Sequence, residues 1–98
     1  MSSAPTSISD SFEFIKSIVS EPSKIDYAKM TILLSFQKYG NTEHFQKCRL
    51  IQNKFEERYG GNWVVSVIKP NEGAIFASYK SNYINVIYKN FYYIIFDY

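Results

Sequence analysis

The spacing of the apolar residues changes at Gly60 and Gly61, and this change constrains the fold more than any other feature of the sequence. Before the two glycines, apolar residues recur every three or four positions, which is the repeat of a buried helix face. The predicted stripes are Ile25, Ala28, Ile32, Phe36 and Tyr39 in a first helix that ends at Gly40, and Phe45, Cys48, Ile51, Phe55 and Tyr59 in a second helix that opens at Asn41 or Thr42. The sequence therefore predicts two consecutive helices, each ended by glycine.

Beyond Gly61 the sequence is rich in β-branched and aromatic residues, which are typical of strands. Four strands are predicted there, over residues 63–68, 74–79, 83–88 and 91–96, and one more precedes the helices, with Phe12, Phe14 and Ile18 on one face. Lys89 and Asn90 are the expected turn of the last hairpin, because Asn tolerates a positive φ. Strands grouped apart from helices predict an α+β fold in which two helices pack on an antiparallel sheet.

Aromatic residues are numerous and lie mostly in the last strands. The chain has nine Tyr, eight Phe and one Trp among 98 residues, with a dense run from Tyr79 to Tyr98. In residues 83–88 apolar side chains fall on both faces of the strand, so neither face is suited to water. Core packing explains part of this pattern, and the remainder predicts a sheet that packs on a second copy of itself. Stacking of nucleic-acid bases is the alternative, but Lys80 and Lys89 are the only cations of this region and the net charge is only +2.

The sequence offers little chemistry to an enzyme. Its single His and single Cys, His44 and Cys48, are four residues apart, so on a helix they occupy adjacent turns. Such a pair could be half of a zinc site or an activated thiol, but no second pair of ligands accompanies it, and a small core thiol near a helix start is the simpler interpretation. No spacing of carboxylates suggests a general acid–base pair. We therefore expect a non-enzymatic protein with no catalytic residues, metal or cofactor.

The first residues and the single cysteine bear on organisation and location. Residues 1–11 are small and polar, and they are predicted to form a flexible arm before one domain at residues 12–98. No apolar run approaches the roughly 20 residues of a membrane span, and the first residues lack the basic and apolar segments of a secretory signal. A lone Cys fits a reducing compartment. We expect a cytoplasmic protein that binds neither membrane nor nucleic acid.

One region carries a resemblance to a known family. Residues 54–63, which read KFEERYGGNW, resemble the eight-kilodalton dynein light chain family, whose members have a basic and acidic helix end, an aromatic residue, a short turn and a Trp that opens a strand. The resemblance extends back to residues 14–17 and 37–39, and forward through Asn71 and Gly73 to residues 93–96. It covers the chain from about residue 12 to its end and identifies it as similar to a divergent member of that family.

This resemblance implies a homodimer in which each subunit lends a strand, here roughly residues 73–79, to the sheet of its partner. An extended peptide would then add beside the lent strand by β-augmentation. By resemblance, the peptide groove comprises Gly73, Ala74, Ile75, Phe76, Ala77, Ser78, Glu43 and His44, and the dimer interface comprises Trp63, Val64, Ser66, Tyr83 and Asn85.

The resemblance also implies a biological role. It predicts a light-chain subunit of a dynein motor complex, or a hub for other proteins, that is associated with microtubules in the cytoskeleton and binds the dynein intermediate or heavy chain through extended segments. The lent segment matches the family's usual one only at Gly73, so an axonemal-dynein-specific subunit and a purely structural dimer without general peptide binding are the alternatives. Val64 stands where the family commonly has an interfacial His, which predicts a dimer that does not respond to pH between about 7 and 5.

Overall fold

Two helices and four strands make up the part of the chain that the structure, a computed structural model, describes, namely residues 12–69 and 78–98. In chain order these are β1 (Glu13–Ile18), α1 (Ser23–Tyr39), α2 (His44–Tyr59), β2 (Trp63–Ile68), β3 (Tyr83–Tyr88) and β4 (Phe91–Asp97). The strands form one antiparallel sheet in the order β1-β3-β4-β2, and the helices pack on it. The predicted α+β fold is confirmed.

The alternation of burial along β3 shows which face of the sheet the helices cover. Ile84, Val86 and Tyr88 are buried, and the residues that alternate with them are only half-buried. The buried set belongs to the same cluster as the inward stripes of both helices, so the helices lie on that face and leave the outer face of the sheet uncovered by any described element. The core consists of Ala28, Ile32, Ile51, Phe55, Trp63, Ile84, Val86, Tyr88, Phe91, Tyr93 and Ile95.

The turn between β3 and β4 is the two-residue loop that the sequence predicted. Lys89 and Asn90 both have positive φ angles, 51° and 71°, as a type I′ hairpin turn requires. Asn41 Nδ2 donates a hydrogen bond to Lys89 O at 3.3 Å, which ties this turn to the connection between the helices. The predicted bounds of β2 and β3 are confirmed, and β4 continues one residue beyond its predicted end, to Asp97.

The start of α2 differs from the prediction. Glu43 has a left-handed conformation, with φ 51° and ψ 51°, so the helix begins at His44 and not at Asn41 or Thr42. Phe45, which was predicted in the buried stripe, is 70% exposed. The physical reason is geometric: at about 100° per residue, Phe45 lies about 120° around the helix from the buried Ile51.

Lys47, which was not part of the predicted stripe, lies on the buried face of α2 with Ile51 and Phe55. Its side chain is fully buried, and Nζ donates to Gly40 O at 3.0 Å and to Tyr93 Oη at 2.9 Å. The rings of Phe36, Phe91 and Tyr93 face the ammonium group at 5.8, 5.9 and 5.4 Å. Burial lowers the pKa of Lys47 and raises that of Tyr93. Lys47 thus joins the end of α1, the body of α2 and strand β4.

Strand β1 contains a β-bulge that the sequence pattern did not indicate. Its pairing with β3 shifts between Phe14 and Lys16, so Ile15 is the extra residue and is 50% exposed. Because the bulge moves later residues to the opposite face, the prediction that Phe14 and Ile18 share one face is wrong.

Some predictions fall outside the described residues. The arm at residues 1–11 lies entirely outside them, as does most of the strand predicted at residues 74–79. Of that segment only Ser78 and Tyr79 are described, and neither is part of a strand.

Candidate functional site

Strands β1 and β2 form the two edges of the sheet, and β2 is the regular one. It pairs with β4 through six consecutive residue pairs, from Trp63–Asp97 to Ile68–Tyr92, without a shift of register. Its sequence, WVVSVI, contains no charged residue and no Pro. Within residues 12–69 and 78–98, no strand pairs with its other side. A regular, uncharged edge is the template that strand addition uses.

Hydrogen bonds at the start of β2 show which of its peptide groups face the open side. Tyr98 N–H donates to Asn62 O at 3.1 Å, and alternate residues of an antiparallel strand turn their N–H and C=O groups toward opposite neighbours. The even-numbered residues of β2 therefore bond to β4. The peptide groups of Trp63, Val65 and Val67 point away from β4.

Side chains of α2 already occupy the first of these outward positions. Glu56 Oε2 accepts a hydrogen bond from Trp63 N–H at 3.3 Å, and Gln52 Nε2 donates one to Trp63 O at 2.9 Å. Gln52 Nε2 also lies 3.4 Å from Glu56 Oε2, so the two side chains act together. At this end of β2 the helix takes the place that a neighbouring strand would have.

The middle of β2 is left open. Val67 lies beside the Cys48 thiol; burial raises the pKa of Cys48, and the Val67 peptide group and Lys47 partly offset that rise. Side chains of α2 therefore contact the peptide groups of Trp63 and Val67. Between these two residues, the outward N–H and C=O of Val65 have no hydrogen-bond partner among the residues described. Val65 is therefore the centre of the available edge.

The outer face of the sheet, away from the helices, is largely apolar. Read from β2 to β1, its three rows are Val64, Phe96, Tyr83 and Ile18; Ser66, Ile94, Asn85 and Lys16; and Ile68, Tyr92, Ile87 and Glu13. On β2, β4 and β3 the outer-face residues are apolar or aromatic except for Ser66 and Asn85. The two charged residues of this face, Glu13 and Lys16, lie on β1. Asn85 Oδ1 is buried without a hydrogen-bond partner in the described part of the chain.

The residues predicted for the dimer interface divide between the two faces. Val64, Ser66, Tyr83 and Asn85 lie together on the outer face, and for them the interface stays a prediction. Trp63 lies on the helix side instead, where it is buried. Its ring centroid is 4.8 Å from that of Phe55, and its Nε1 donates to Gly60 O at 2.9 Å. The structure therefore places Trp63 in the core.

A cavity of about 360 Å³ opens where β2 ends against the start of α2. The described residues that line it are His44, Val67, Ile68, Lys69 and Phe91. The centroids of the His44 and Phe91 rings are 4.3 Å apart, and His44 Nδ1 is buried with no hydrogen-bond partner among the described residues. Burial, followed by the nearby cations Lys47 and Lys69, lowers the pKa of His44.

Of the predicted groove residues, the structure brings His44 to the open edge and tests few of the others. Glu43 precedes it and is exposed, as is Ser78. Gly73, Ala74, Ile75, Phe76 and Ala77 lie outside the described residues. Val65 and Lys69 carry no local sequence signal for this site, because the open side of β2 follows from the order of the strands.

A larger cavity, of about 530 Å³, lies at the other end of β2. Its lining includes the cations Lys24, Arg58 and Lys80 and the carboxylates of Glu21 and Asp97, so its charges are close to balance. Burial by itself raises the pKa of Asp97, but hydrogen bonds from the Ser81 N–H and from Asn82 hold it below its ordinary value. The Asp97 carboxylate is thus already committed to internal contacts.

The described part of the chain contains neither a metal-binding cluster nor a helix that could cross a membrane. No group of three or more His, Cys, Asp or Glu side chains there is arranged to hold a metal ion. Neither α1 nor α2 combines the length and the apolar character needed to cross a bilayer.

The arrangement of helices and strands is similar to that of solved dynein light chain-like domains. One is the domain of the Fasciola hepatica calcium binding protein FhCaBP2: its mercury derivative aligns with a TM-score of 0.71 at 17% identity, covering 90% of this chain and 92% of that chain. Its native crystal in P6422 gives 0.73 at 13% identity, covering 89% and 90%. The corresponding domain of CsTAL3 gives 0.68 at 16% identity, covering 89% and 92%. No family model and no curated protein matches the sequence. The likeness establishes a dynein light chain-like fold.

Proposed function

We propose that this chain is a non-catalytic, dimeric light-chain subunit that binds extended segments of partner proteins by strand addition. The β2 edge carries the proposal, because it is regular and uncharged and because Val65 has no described partner for its outward peptide groups. It can receive the strand that a second copy lends, and the peptide then pairs beside that strand. Backbone donors and acceptors beside apolar surface are stabilised when an incoming strand pairs with them. The dynein light chain-like fold supports this function.

A second copy is the proposed cover of the outer face. The rows of Val64, Phe96 and Tyr83 present contiguous apolar surface, and monomeric proteins seldom expose large surfaces of this kind. Glu13 and Lys16, the charged residues at the β1 margin, have opposite signs. In a two-fold interface the same patch meets itself, so each charge can face the opposite one of the other copy.

The proposed role is that of a dynein motor subunit or a related hub in the cytoplasm, with the dynein intermediate or heavy chain, or another protein with an extended segment, as partner. Two peptide sites in one dimer would hold two partner chains together and gain from effective concentration.

One observation favours the second candidate, a structural dimer without general peptide binding. Gln52 and Glu56 occupy the peptide groups of Trp63 and so shorten the free part of the edge.

Replacing Val65 with Pro tests strand addition directly. Val65→Pro removes the outward N–H of residue 65 and leaves the hydrogen bonds between β2 and β4 in place. An edge strand tolerates Pro at such a position, because the lost N–H does not belong to the ladder. We expect peptides selected by the wild-type protein from a random dodecapeptide display library to bind this variant about tenfold more weakly or worse, a change of about 1.4 kcal/mol.

Val65→Ala is the matched control, because it shortens the same side chain and keeps the N–H. It should bind the selected peptides with nearly wild-type affinity, and thermal melting should show both variants folded. Equal peptide affinity in the wild type and Val65→Pro would count against strand addition at β2. A wild-type protein that sediments as a dimer but enriches no peptide would support the purely structural alternative.

A further inference from the structure

The outer surface of the helix layer carries a groove that is separate from the sheet. It is a cavity of about 400 Å³ between the C-terminal end of α1 and the outer side of α2, and every described residue that lines it belongs to one of these two helices. We infer that this helix groove binds an acidic, amphipathic helix of a partner protein. Since no described residue of the sheet lines the groove, the inference goes beyond strand addition at β2 and does not depend on it.

Positive charge predominates in the helix groove. Lys38 of α1 and Arg49 and Lys54 of α2 line it, and Glu57 is the one carboxylate among its described residues. The single salt bridge in the described part of the chain lies elsewhere, at the start of α1. The three cations are therefore without a carboxylate partner among the described residues, and a partner that brings negative charge is complementary to them.

Apolar side chains continue the helix groove along α1. Met30 and Leu34 are 46% and 39% exposed, and both are large apolar residues. Met30, Leu34 and Lys38 follow one another at intervals of four residues, so they lie on one face of the helix. On the α2 side Leu50 adds apolar surface. The groove thus combines an apolar strip with a row of cations, which is the complement of an acidic, amphipathic segment.

The secondary structure around the groove determines the form of the partner. The peptide groups of α1 and α2 are hydrogen-bonded within the helices, so a partner cannot add as a strand here and must be recognised by its side chains. A groove between two helices accommodates a third helix. The apolar side chains of an amphipathic helix recur every three or four residues and can contact Leu34 and Leu50, while acidic side chains beside them reach the cations.

Nucleic acid is the other polyanion that a basic groove could bind, and two features of this groove disfavour it. Glu57 lies within the groove and would repel a phosphate group. The exposed Met30 and Leu34 are covered by apolar side chains of a protein partner, but a sugar-phosphate backbone offers no such surface. The observations therefore favour a protein partner.

The experiment measures the binding of two helical peptides to the full-length, ¹⁵N-labelled protein by NMR, and of their fluorescent forms by anisotropy. The acidic peptide is Ac-SPEELLAELEELLAELG-NH2, and its charge-reversed counterpart has lysine in place of every glutamate. We expect the acidic peptide, and not the basic one, to shift the amide signals of Lys38, Arg49 and Lys54. Its affinity should fall about tenfold between about 50 mM and about 500 mM NaCl, because salt screens exposed charges.

Three variants test the role of the charges. Arg49→Glu reverses an exposed charge in the groove and should weaken the binding of the acidic peptide by about tenfold. Lys80→Glu is the matched control, because it makes the same change of net charge at an exposed residue outside the groove. It should bind like the wild type. Glu57→Gln removes the carboxylate of the groove and should strengthen binding severalfold, a gain that a purely structural role of Glu57 would not produce.

Several outcomes would overturn the inference. One is the absence of shifts at Lys38, Arg49 and Lys54 with the acidic peptide, and another is equal weakening by Arg49→Glu and Lys80→Glu. Equal shifts with both peptides would show that charge does not select the partner. If a thymidine dodecanucleotide shifts these signals and the acidic peptide does not, the groove binds phosphate groups instead. Val65→Pro should bind the acidic peptide like the wild type, so a failure of strand addition and a failure of this inference are separate results.

Discussion

Strands β1 and β2 are both six-residue edges of one antiparallel sheet, but they present their backbones differently. β1 has a bulge at Ile15, and it carries the charged residues Glu13 and Lys16 on the outer face. β2 has neither feature. Bulges and charges are the usual protection of a sheet edge against unwanted pairing. β1 is therefore closed to strand addition along its length, and β2 remains available.

The protection that β2 does have is of another kind. Gln52 and Glu56 bond to the outward peptide groups of Trp63. These side-chain hydrogen bonds can be exchanged for those of an incoming strand, since the net value of each one is small, about 1 kcal/mol. A bulge cannot be exchanged in this way, because it is fixed by the register of the chain. The comparison indicates that one edge is permanently blocked and the other is reversibly covered.

The largest expected effect comes from Lys47, because it fixes α2, the element that covers β2. Lys47→Ala removes the donor of Gly40 O and Tyr93 Oη and leaves a cavity. Buried large-to-small substitutions cost about 2–5 kcal/mol, so we expect the free energy of unfolding in urea to fall by about 3 kcal/mol. Native-state hydrogen exchange should show β2 losing protection before β1, and equal losses at both edges would contradict the difference between them.

Lys47→Met is the matched control, since it keeps most of the volume and removes the charge.

The lowered pKa of Lys47 determines whether the free energy of unfolding rises or falls with pH. As pH rises through the folded-state pKa, the folded protein loses the proton while the unfolded chain keeps it up to about pH 10.4. Wild-type stability should therefore rise with pH in that window. The rise should be absent in Lys47→Met, and an identical profile would show that folding does not lower the pKa of Lys47.

A smaller effect is expected from repairing the bulge of β1. Deleting Ile15 makes Phe14 and Lys16 consecutive partners of Val86 and Asn85, so the edge becomes regular. We expect self-association through β1 to strengthen by about tenfold, limited by the charges that remain at this edge. Analytical ultracentrifugation over a range of concentrations measures it.

Ile15→Ser is the control for that deletion, because it removes the exposed apolar side chain and keeps the bulge. It should associate no more than the wild type. If the deletion variant also associates no more than the wild type, the bulge is not what protects β1, and the charges of Glu13 and Lys16 must account for the closed edge.

The strands were predictable from the sequence where local signals define them. The β-branched run from Trp63 to Ile68 follows two glycines, and the run from Tyr83 to Tyr88 ends at a turn that contains Asn90. Both strands have the predicted bounds. Strand propensity, turn residues and hydrophobic period all act over a few residues, so a single sequence contains the information that these elements need.

The candidate site was less predictable, because it depends on contacts between distant parts of the chain. The buried Lys47 donates hydrogen bonds to Gly40 O and to Tyr93 Oη, and Tyr93 is 46 residues away in the sequence. Trp63 faces the helices and Val64 the outer face because of the ladder to β4. The left-handed Glu43 moves the start of α2 to His44, and Phe45 is 70% exposed because it lies away from the buried face of the helix. The open edge itself follows from the order of the strands in the sheet.

The smallest expected effect is that acid does not weaken the dimer. This prediction distinguishes the outer face, which has no group that titrates near neutral pH, from the β2 edge, which has His44. Among the described residues of the outer face, none has an ordinary pKa between 5 and 7, and Val64 in particular does not titrate. His44 is the only histidine and lies by the β2 edge. We expect dimers at pH 7 and at pH 5 by sedimentation.

Val64→His is the control for this last prediction, because it places a titratable group on the outer face. Two imidazolium groups brought together in a two-fold interface would repel each other, so this variant should dissociate at pH 5 where the wild type does not. If the wild type dissociates at pH 5 while peptide binding stays constant, the titrating group acts on the face and not on the edge. That outcome would contradict the roles proposed for the two regions.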